Sequence, residues 1–211
     1  MAWSASESLV DAACTGLREH GYVVLTDAID PAWVAQLRAD LQQSALREAG
    51  IGRANSHQHN TAVRGDQIAW FERDNPVQAL WLDFCHELQT ELNRRLFLGL
   101  FSFECHYAQY RPGAAYARHR DSFLGQANRV LSLVTYLNAD WSDDWGGELV
   151  IYDPQNDAQE LVRVLPQQGT LVLFLSEEFP HEVRPASRDR QSIAGWFRVN
   201  TTDSNRVDPP R

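Results

Sequence analysis

Residues Arg129 to Leu137 read Arg-Val-Leu-Ser-Leu-Val-Thr-Tyr-Leu, a β-rich run bounded by Asn128 before it and Asn138 after it. A segment of this kind predicts a strand. Working outward, Phe101–Tyr110, Glu148–Tyr152, Leu161–Leu165, Thr170–Leu175 and Ser192–Val199 have the same texture, separated by Gly, Pro, Asn and Asp. Upstream of Leu98 the pattern is helical. Ser6 caps a helix running to His20 with Gly21 as its stop, and Asp30-Pro31 opens another reaching about Glu48. Asn75-Pro76 opens a third reaching about Leu96, with Leu80, Phe84, Leu88 and Leu92 on one stripe. Tyr22–Leu25 is a short apolar strand, residues 50–63 read as loop, and Ser204–Arg211 as a frayed tail. Helices followed by six or more short strands give an α+β chain, its sheet region a sandwich or jelly roll with helices on one face. We expect one domain over residues 1–211, with helical support to about residue 98 and the β core over about 99–200.

Composition closes several mechanisms. All 19 basic side chains are arginine, and the 28 acidic ones leave a formal charge of −9. No Schiff-base lysine, P-loop lysine or lysine general base exists. The acidic balance argues against a nucleic-acid partner. The start of the chain carries Glu7 and Asp11 where a leader would be apolar, and no run approaches the length of a membrane span, so neither leader nor membrane partner is expected. Cys14, Cys85 and Cys105 are odd in number and lack C-x-x-C spacing, which favours free thiols and the cytoplasm.

His119-Arg120-Asp121 and the distant His181 form the chemical signal. On a strand, residues i and i+2 share a face, so an imidazole and a carboxylate converge on one ion and a second imidazole arrives from another strand. Two His and one carboxylate on one face of an octahedron leave three positions open, as non-haem Fe(II) oxygenases require. Composition alone gives a His-x-Asp tripeptide by chance in about one such chain in two, so the pattern does not decide the matter by itself. His57 and His59 read as a solvated loop, His106 beside Cys105 as half of a strand alternation, and Asp140, Asp143 and Asp144 as a solvated acidic loop.

The surroundings of those residues add a resemblance. Val63-Arg-Gly-Asp-Gln-Ile-Ala-Trp70, Tyr110-Arg-Pro-Gly113, Tyr116-Ala-Arg-His-Arg-Asp121, Tyr136-Leu-Asn-Ala-Asp-Trp141, Gly146-Gly-Glu-Leu149 and Pro180-His-Glu-Val-Arg-Pro185, with Arg190 nine residues after His181, run in order over about two thirds of the chain. Together they resemble the Fe(II)/2-oxoglutarate-dependent dioxygenases. The similarity is greatest to the prolyl hydroxylase branch that holds the hypoxia-inducible-factor prolyl hydroxylases and their bacterial counterparts.

That resemblance implies a double-stranded β-helix (jelly roll), with His119, Asp121 and His181 on Fe(II). Arg190 would hold the C5 carboxylate of 2-oxoglutarate, as suits a planar guanidinium. Tyr136 would reach the same carboxylate and Tyr110 the oxo-acid end, the turn after Tyr110 being shorter here. Val134 and Trp196 would wall the pocket, a role compatible with plain core packing. Arg129, Arg64 and Asp66 would lie near the substrate mouth, or form structural salt bridges. The loop over residues 50–66 would be a lid. O₂ is the oxidant, ascorbate a supporting reductant, and the substrate a prolyl residue of a protein, with elongation factor Tu the class the bacterial members imply. The other enzyme reading is a hydroxylase of free proline or another small molecule. The non-catalytic one is a jelly-roll binding module, which would be expected to lack a metal ligand or Arg190. Arg111, Arg118, Arg120, Arg129, Arg184 and Arg188 flank these positions and predict a locally positive mouth.

Overall fold

The computed structural model describes residues 3–49, 63–122 and 128–200. In chain order it contains α1 (Glu7–His20), β1 (Tyr22–Leu25), α2 (Pro31–Gln43), β2 (Arg47–Glu48), β3 (Asp66–Trp70), α3 (Pro76–Leu96), β4 (Ser102–Tyr110) and β5 (Tyr116–His119). Then follow β6 (Arg129–Tyr136), β7 (Leu149–Tyr152), β8 (Glu160–Val164), β9 (Leu171–Leu175), β10 (His181–Val183) and β11 (Arg190–Arg198).

The helix ends obey local chemistry. Ser6 accepts the Leu9 N–H at 3.2 Å, and Gly21 closes α1 at φ 74°, a left-handed turn that glycine adopts without strain. Asp30 accepts the Ala32 N–H and Asn75 those of Val77 and Gln78, each cap followed by proline. The second helix is shorter than its sequence predicts. It stops at Gln43, where Ser44 turns extended and returns its hydroxyl to the Asp40 carbonyl. Arg47 and Glu48 instead pair antiparallel with Ile68 and Gln67. Helical periodicity carries no information about that distant partner.

The strands form two antiparallel sheets, one in the order β1-β9-β6-β11-β4-β3-β2 and the other β5-β10-β7-β8. They make the double-stranded β-helix core of an α+β protein. Side-chain alternation along the larger sheet assigns its two faces. Leu131 and Leu133 on β6, Leu171 and Leu173 on β9, Cys105 and Tyr107 on β4, and Ile193 and Phe197 on β11 pack with the helices. Between them, Tyr136, Val172, Phe174, Ala108 and Tyr110 point to the opposite face and meet Leu149, Ile151 and Val183 of the smaller sheet. Each central strand is thus buried on both sides, which is why its sequence reads as a nearly unbroken apolar run.

A polar clamp fixes the helices to this sheet. Asp40 of α2 accepts hydrogen bonds from Asn75 and Gln78 at the start of α3 and from the Tyr107 hydroxyl on β4, at 2.6, 2.8 and 2.9 Å. Cys14, Cys85 and Cys105 are free and buried, and no helix among the described residues is long and apolar enough to cross a membrane. His57, His59, the lid over residues 50–66 up to residue 62 and the tail over 204–211 lie outside the described residues.

Leu88 of α3 is fully buried against the sheet, whereas Asp83 and Arg73 pair on the surface at 2.8 Å with both side chains more than 60% exposed. Leu88→Ala is predicted to lower unfolding free energy by about 2–5 kcal/mol, and Asp83→Ala by no more than about 1 kcal/mol. Urea midpoints of the two variants check the ranking.

Candidate active site

A cleft opens between the two sheets. The smaller sheet brings two imidazoles to it. His119 and His181 are register partners across β5 and β10, with ring centres 4.2 Å apart. Each Nδ1 faces the carbonyl two residues upstream, Ala117 O at 2.8 Å and Phe179 O at 3.0 Å. A carbonyl only accepts, so both Nδ1 atoms carry the proton and both Nε2 lone pairs are free for a ligand.

Asp121 is the third member. Its Oδ1 lies 3.5 Å from His119 Nε2 and its Oδ2 3.6 Å from His181 Nε2. The strand argument accounts for His119 but not for Asp121, which sits in a bend just after β5. What holds it is the Ser132 hydroxyl of β6, donating to Oδ2 at 2.6 Å. One donor atom from each of the three residues lies within 4.8 Å of the others, and among the described residues no other such group could hold a metal. Two imidazoles presenting Nε2 and one carboxylate, with open cleft on the remaining side, fit Fe(II).

The electrostatics agree with that donor set. Burial by itself would raise the Asp121 carboxyl, but the neighbouring His181 and His119 and the Ser132 hydrogen bond hold it well below the usual carboxylate range. Burial, reinforced by His119, lowers His181 from 6.5 to about 4, so it stays neutral near pH 7.

The larger sheet supplies the opposite wall. Arg190, the first residue of β11, is 1% exposed. Its Nε donates to Gly147 O at 2.8 Å and its Nη1 to the Ser192 hydroxyl at 3.1 Å. No carboxylate among the described residues is within ion-pair reach of it. Its guanidinium carbon stands 5.1 Å from the ring centres of both Tyr110 and Tyr136. The buried Tyr136 hydroxyl lies beside the Arg190 guanidinium and makes no well-formed hydrogen bond among the described residues; burial pushes it up to about 12 against the pull of Arg190, so it remains a donor. A buried cation with no counter-charge beside a buried phenol is costly unless an anionic ligand completes it. Gly147 makes the arrangement possible. At its φ of 79°, a Cβ would lie 3.0 Å from both Ala186 and Trp141 and 3.4 Å from Arg190 Cδ.

The other residues singled out in the sequence are distributed unevenly. Tyr110, Val134 and Trp196 line the cleft, as do Arg64 and Asp66. These last two form a bidentate pair at 2.7 and 3.0 Å, with Asp66 2% exposed and β3 in register beside β4. Arg129 does not line the cleft. It binds Glu104 at 2.7 Å and lies 3.6 Å over the Trp196 ring, behind the wall. Among the described residues the broadly positive mouth is not observed. Arg111 pairs with Asp189, and Arg118 and Arg184 with Glu182 and neighbouring acids. Arg120 donates to backbone carbonyls and Arg188 covers Trp145, which leaves Arg64 and Arg190 as the cleft's cations. Asp140, Asp143 and Asp144 are exposed and remote from the triad.

His106 has a larger part than its sequence suggested. It is 1% exposed, lines the cleft and packs edge-on to Trp70 and against Trp196 at 5.0 and 5.5 Å. Burial first, then the charge of Arg64, lowers it to about 4. Its parity with Ala108 and Tyr110 on β4 was the available signal. Tyr116, stacked 3.6 Å from His119, and Ser132 were also unread.

Both depressed imidazoles bind protons more readily in the unfolded chain, between pH about 4 and 6.5. The sign follows directly: with more protons on the unfolded state, stability rises with pH through that window and falls as pH drops. Urea unfolding of the metal-free protein at pH 7, 6, 5 and 4 is expected to show this loss, reduced in His106→Gln. A flat profile would contradict the burial of neutral imidazoles.

Comparisons with known proteins follow the same geometry. Residues 105–198 match the model of the 2OG-Fe(II) oxygenase superfamily. A prolyl-4-hydroxylase structure from Pseudomonas putida superposes with a TM-score of 0.81 at 36% identity, covering 90% of this chain and 99% of that one. A prolyl hydroxylase from Trichoplax adhaerens, solved with a peptide fragment of the hypoxia-inducible-factor oxygen degradation domain, gives 0.79 at 26% identity over 91% of this chain and 90% of its own. Egl nine homolog 1 of Homo sapiens is 27% identical over 195 residues, 86% of this chain. The chain spans 44% of that relative's length.

Proposed function

The chain belongs to the 2OG-Fe(II) oxygenase superfamily, and from that premise we propose that it hydroxylates a prolyl residue within a protein. The observation that carries this reading is Arg190. A buried guanidinium with no carboxylate partner among the described residues, next to the Tyr136 hydroxyl, faces the same cleft as a His-Asp-His cluster. A dicarboxylate with an oxo-acid end satisfies both halves at once.

In this assignment His119, Asp121 and His181 hold Fe(II). Arg190 and Tyr136 donate to the far carboxylate of 2-oxoglutarate, Tyr110 lies at its oxo-acid end, and Val134 and Trp196 exclude water from the reacting centre. When bound, Fe(II) with 2-oxoglutarate and O₂ supplies the oxidising power that inserts oxygen into a C–H bond, with succinate and CO₂ as co-products. Arg64 and Asp66 shape the substrate side of the cleft. Arg129, through its contact with the Trp196 ring, supports that wall.

A protein substrate is supported by the Trichoplax neighbour, solved with a peptide, and by the prolyl-4-hydroxylase likeness over the whole described fold. Elongation factor Tu is the first protein to test. A reducing cytoplasmic setting suits the three free thiols, and ascorbate is the supporting reductant.

Conversion of 2-oxoglutarate to succinate should vanish in His119→Ala and Asp121→Ala. Arg190→Ala should retain folding while raising the 2-oxoglutarate requirement by roughly 30-fold or more, the scale of losing one partner of a buried charge pair. Mass spectrometry of elongation factor Tu and of a host-cell lysate, treated under ¹⁸O₂, should reveal label on prolyl peptides. Full turnover in His119→Ala, or label confined to free amino acids, would overturn the assignment.

A further inference from the structure

The bend that carries Asp121 has no strand partner of its own, yet the carboxylate must be fixed if it is to act with two imidazoles on rigid strands. One buried hydroxyl of the larger sheet reaches it, and a second stands behind the first. Ser132 lies on β6, between β11 and β9, and is 1% exposed, while Ser176, just past β9, is fully buried. Ser132 Oγ is 2.6 Å from Asp121 Oδ2 and 2.9 Å from Ser176 Oγ.

The direction of this chain follows from counting protons. An ionised carboxylate can only accept, so the single Ser132 proton goes to Asp121. The Ser132–Ser176 bond must then be donated by Ser176. Ser176 is anchored in turn by its own N–H on Val130 O at 2.9 Å. The result is a relay, Ser176 to Ser132 to Asp121, in which each bond polarises the next toward the carboxylate.

We propose that Ser132, oriented by Ser176, is the positioning residue for the metal-ligating carboxylate. It occupies one lone pair of Oδ2 and pins the Asp121 side chain to the central strand, so that the carboxylate meets a divalent cation in one orientation. Beside it on the inner face, Val134 and Ala194 carry no side-chain donor, and the Trp196 indole N–H makes no hydrogen bond to Asp121. This inference rests on the assignment of His119, Asp121 and His181 as metal ligands. Fixing a ligand through its outer hydrogen bond is worth about 10–100-fold in metal affinity where it has been tested in metal sites generally.

The test is binding, independent of turnover. Mn(II) is titrated into the metal-free full chain, and free Mn(II) is read by electron paramagnetic resonance. Ser132→Thr keeps a hydroxyl and Ser132→Val keeps the same shape without it, so the pair separates hydrogen bonding from packing. Ser132→Thr should bind within about 3-fold of the wild type and Ser132→Val about 10–100-fold more weakly. Ser176→Ala should show a smaller loss. Equal affinities for the Thr and Val variants, whether both strong or both weak, would overturn the role of the hydroxyl. An unchanged affinity in Ser176→Ala would remove Ser176 from the relay. A wild-type protein that fails to bind Mn(II) would instead overturn the metal-site assignment itself.

Discussion

The structure is organised around one unpaired charge. Arg190 places a guanidinium between two sheets with 1% of its surface exposed and no carboxylate within ion-pair reach among the described residues. Isolated ions are rarely left in such a place, because the desolvation cost of several kcal/mol is otherwise uncompensated. Here the backbone carbonyl of Gly147 and the Ser192 hydroxyl reduce that cost without cancelling the charge. The two carboxylates that line the cleft among the described residues are already engaged, Asp121 facing two imidazoles and Asp66 bound to Arg64. A ligand anion is the missing term, and the cleft is shaped to admit one.

The division of labour between the sheets follows from this. A metal-binding cluster and an anion-binding guanidinium must be separated by the length of the molecule that bridges them. Two facing sheets give that separation without any loop having to define it. The smaller sheet fixes the imidazoles through cross-strand register and backbone carbonyls, and the larger one fixes Arg190, Ser132 and Tyr136 on strands whose far side is packed under helices. Asp121 alone belongs to irregular chain, and it alone depends on a side-chain hydrogen bond from the other sheet.

Much of this was legible in the sequence, for identifiable reasons. The first and third helices carry their own caps, so Ser6, Gly21 and Asn75-Pro76 mark their ends within a residue. The central strands are apolar on both faces and long enough to stand out. What was not legible depends on distant pairing. The Arg47–Glu48 strand has only two residues and exists because Ile68 and Gln67 lie beside it. The His181–Val183 strand has three, flanked by β5 and β7. At the site, His119, Asp121 and His181 were singled out by residue type and spacing, and Arg190 through the resemblance to the dioxygenases. His106 and Ser132 look like ordinary strand residues until the parity of β4 and β6 turns them inward. Arg64 and Asp66 were left between a substrate role and a salt bridge. They form the salt bridge, at the cleft wall.

The absence of lysine from the chain also acquires a structural sense at Arg190. A lysine ammonium is a single point that must choose between anchoring itself and binding a ligand. A guanidinium has five donors in one plane. Arg190 spends Nε on Gly147 and one N–H of Nη1 on Ser192, and its plane is set by those two bonds before any ligand arrives. Nη2 has no protein partner among the described residues. The remaining donors therefore point in directions fixed by the strand and by the Gly147 turn. Orientation of this kind means that a bound carboxylate meets a pre-set fork, and the entropy of arranging it has already been lost on folding. In the proposed assignment, that fork also fixes where the far carboxylate of a dicarboxylate is held relative to His119, Asp121 and His181.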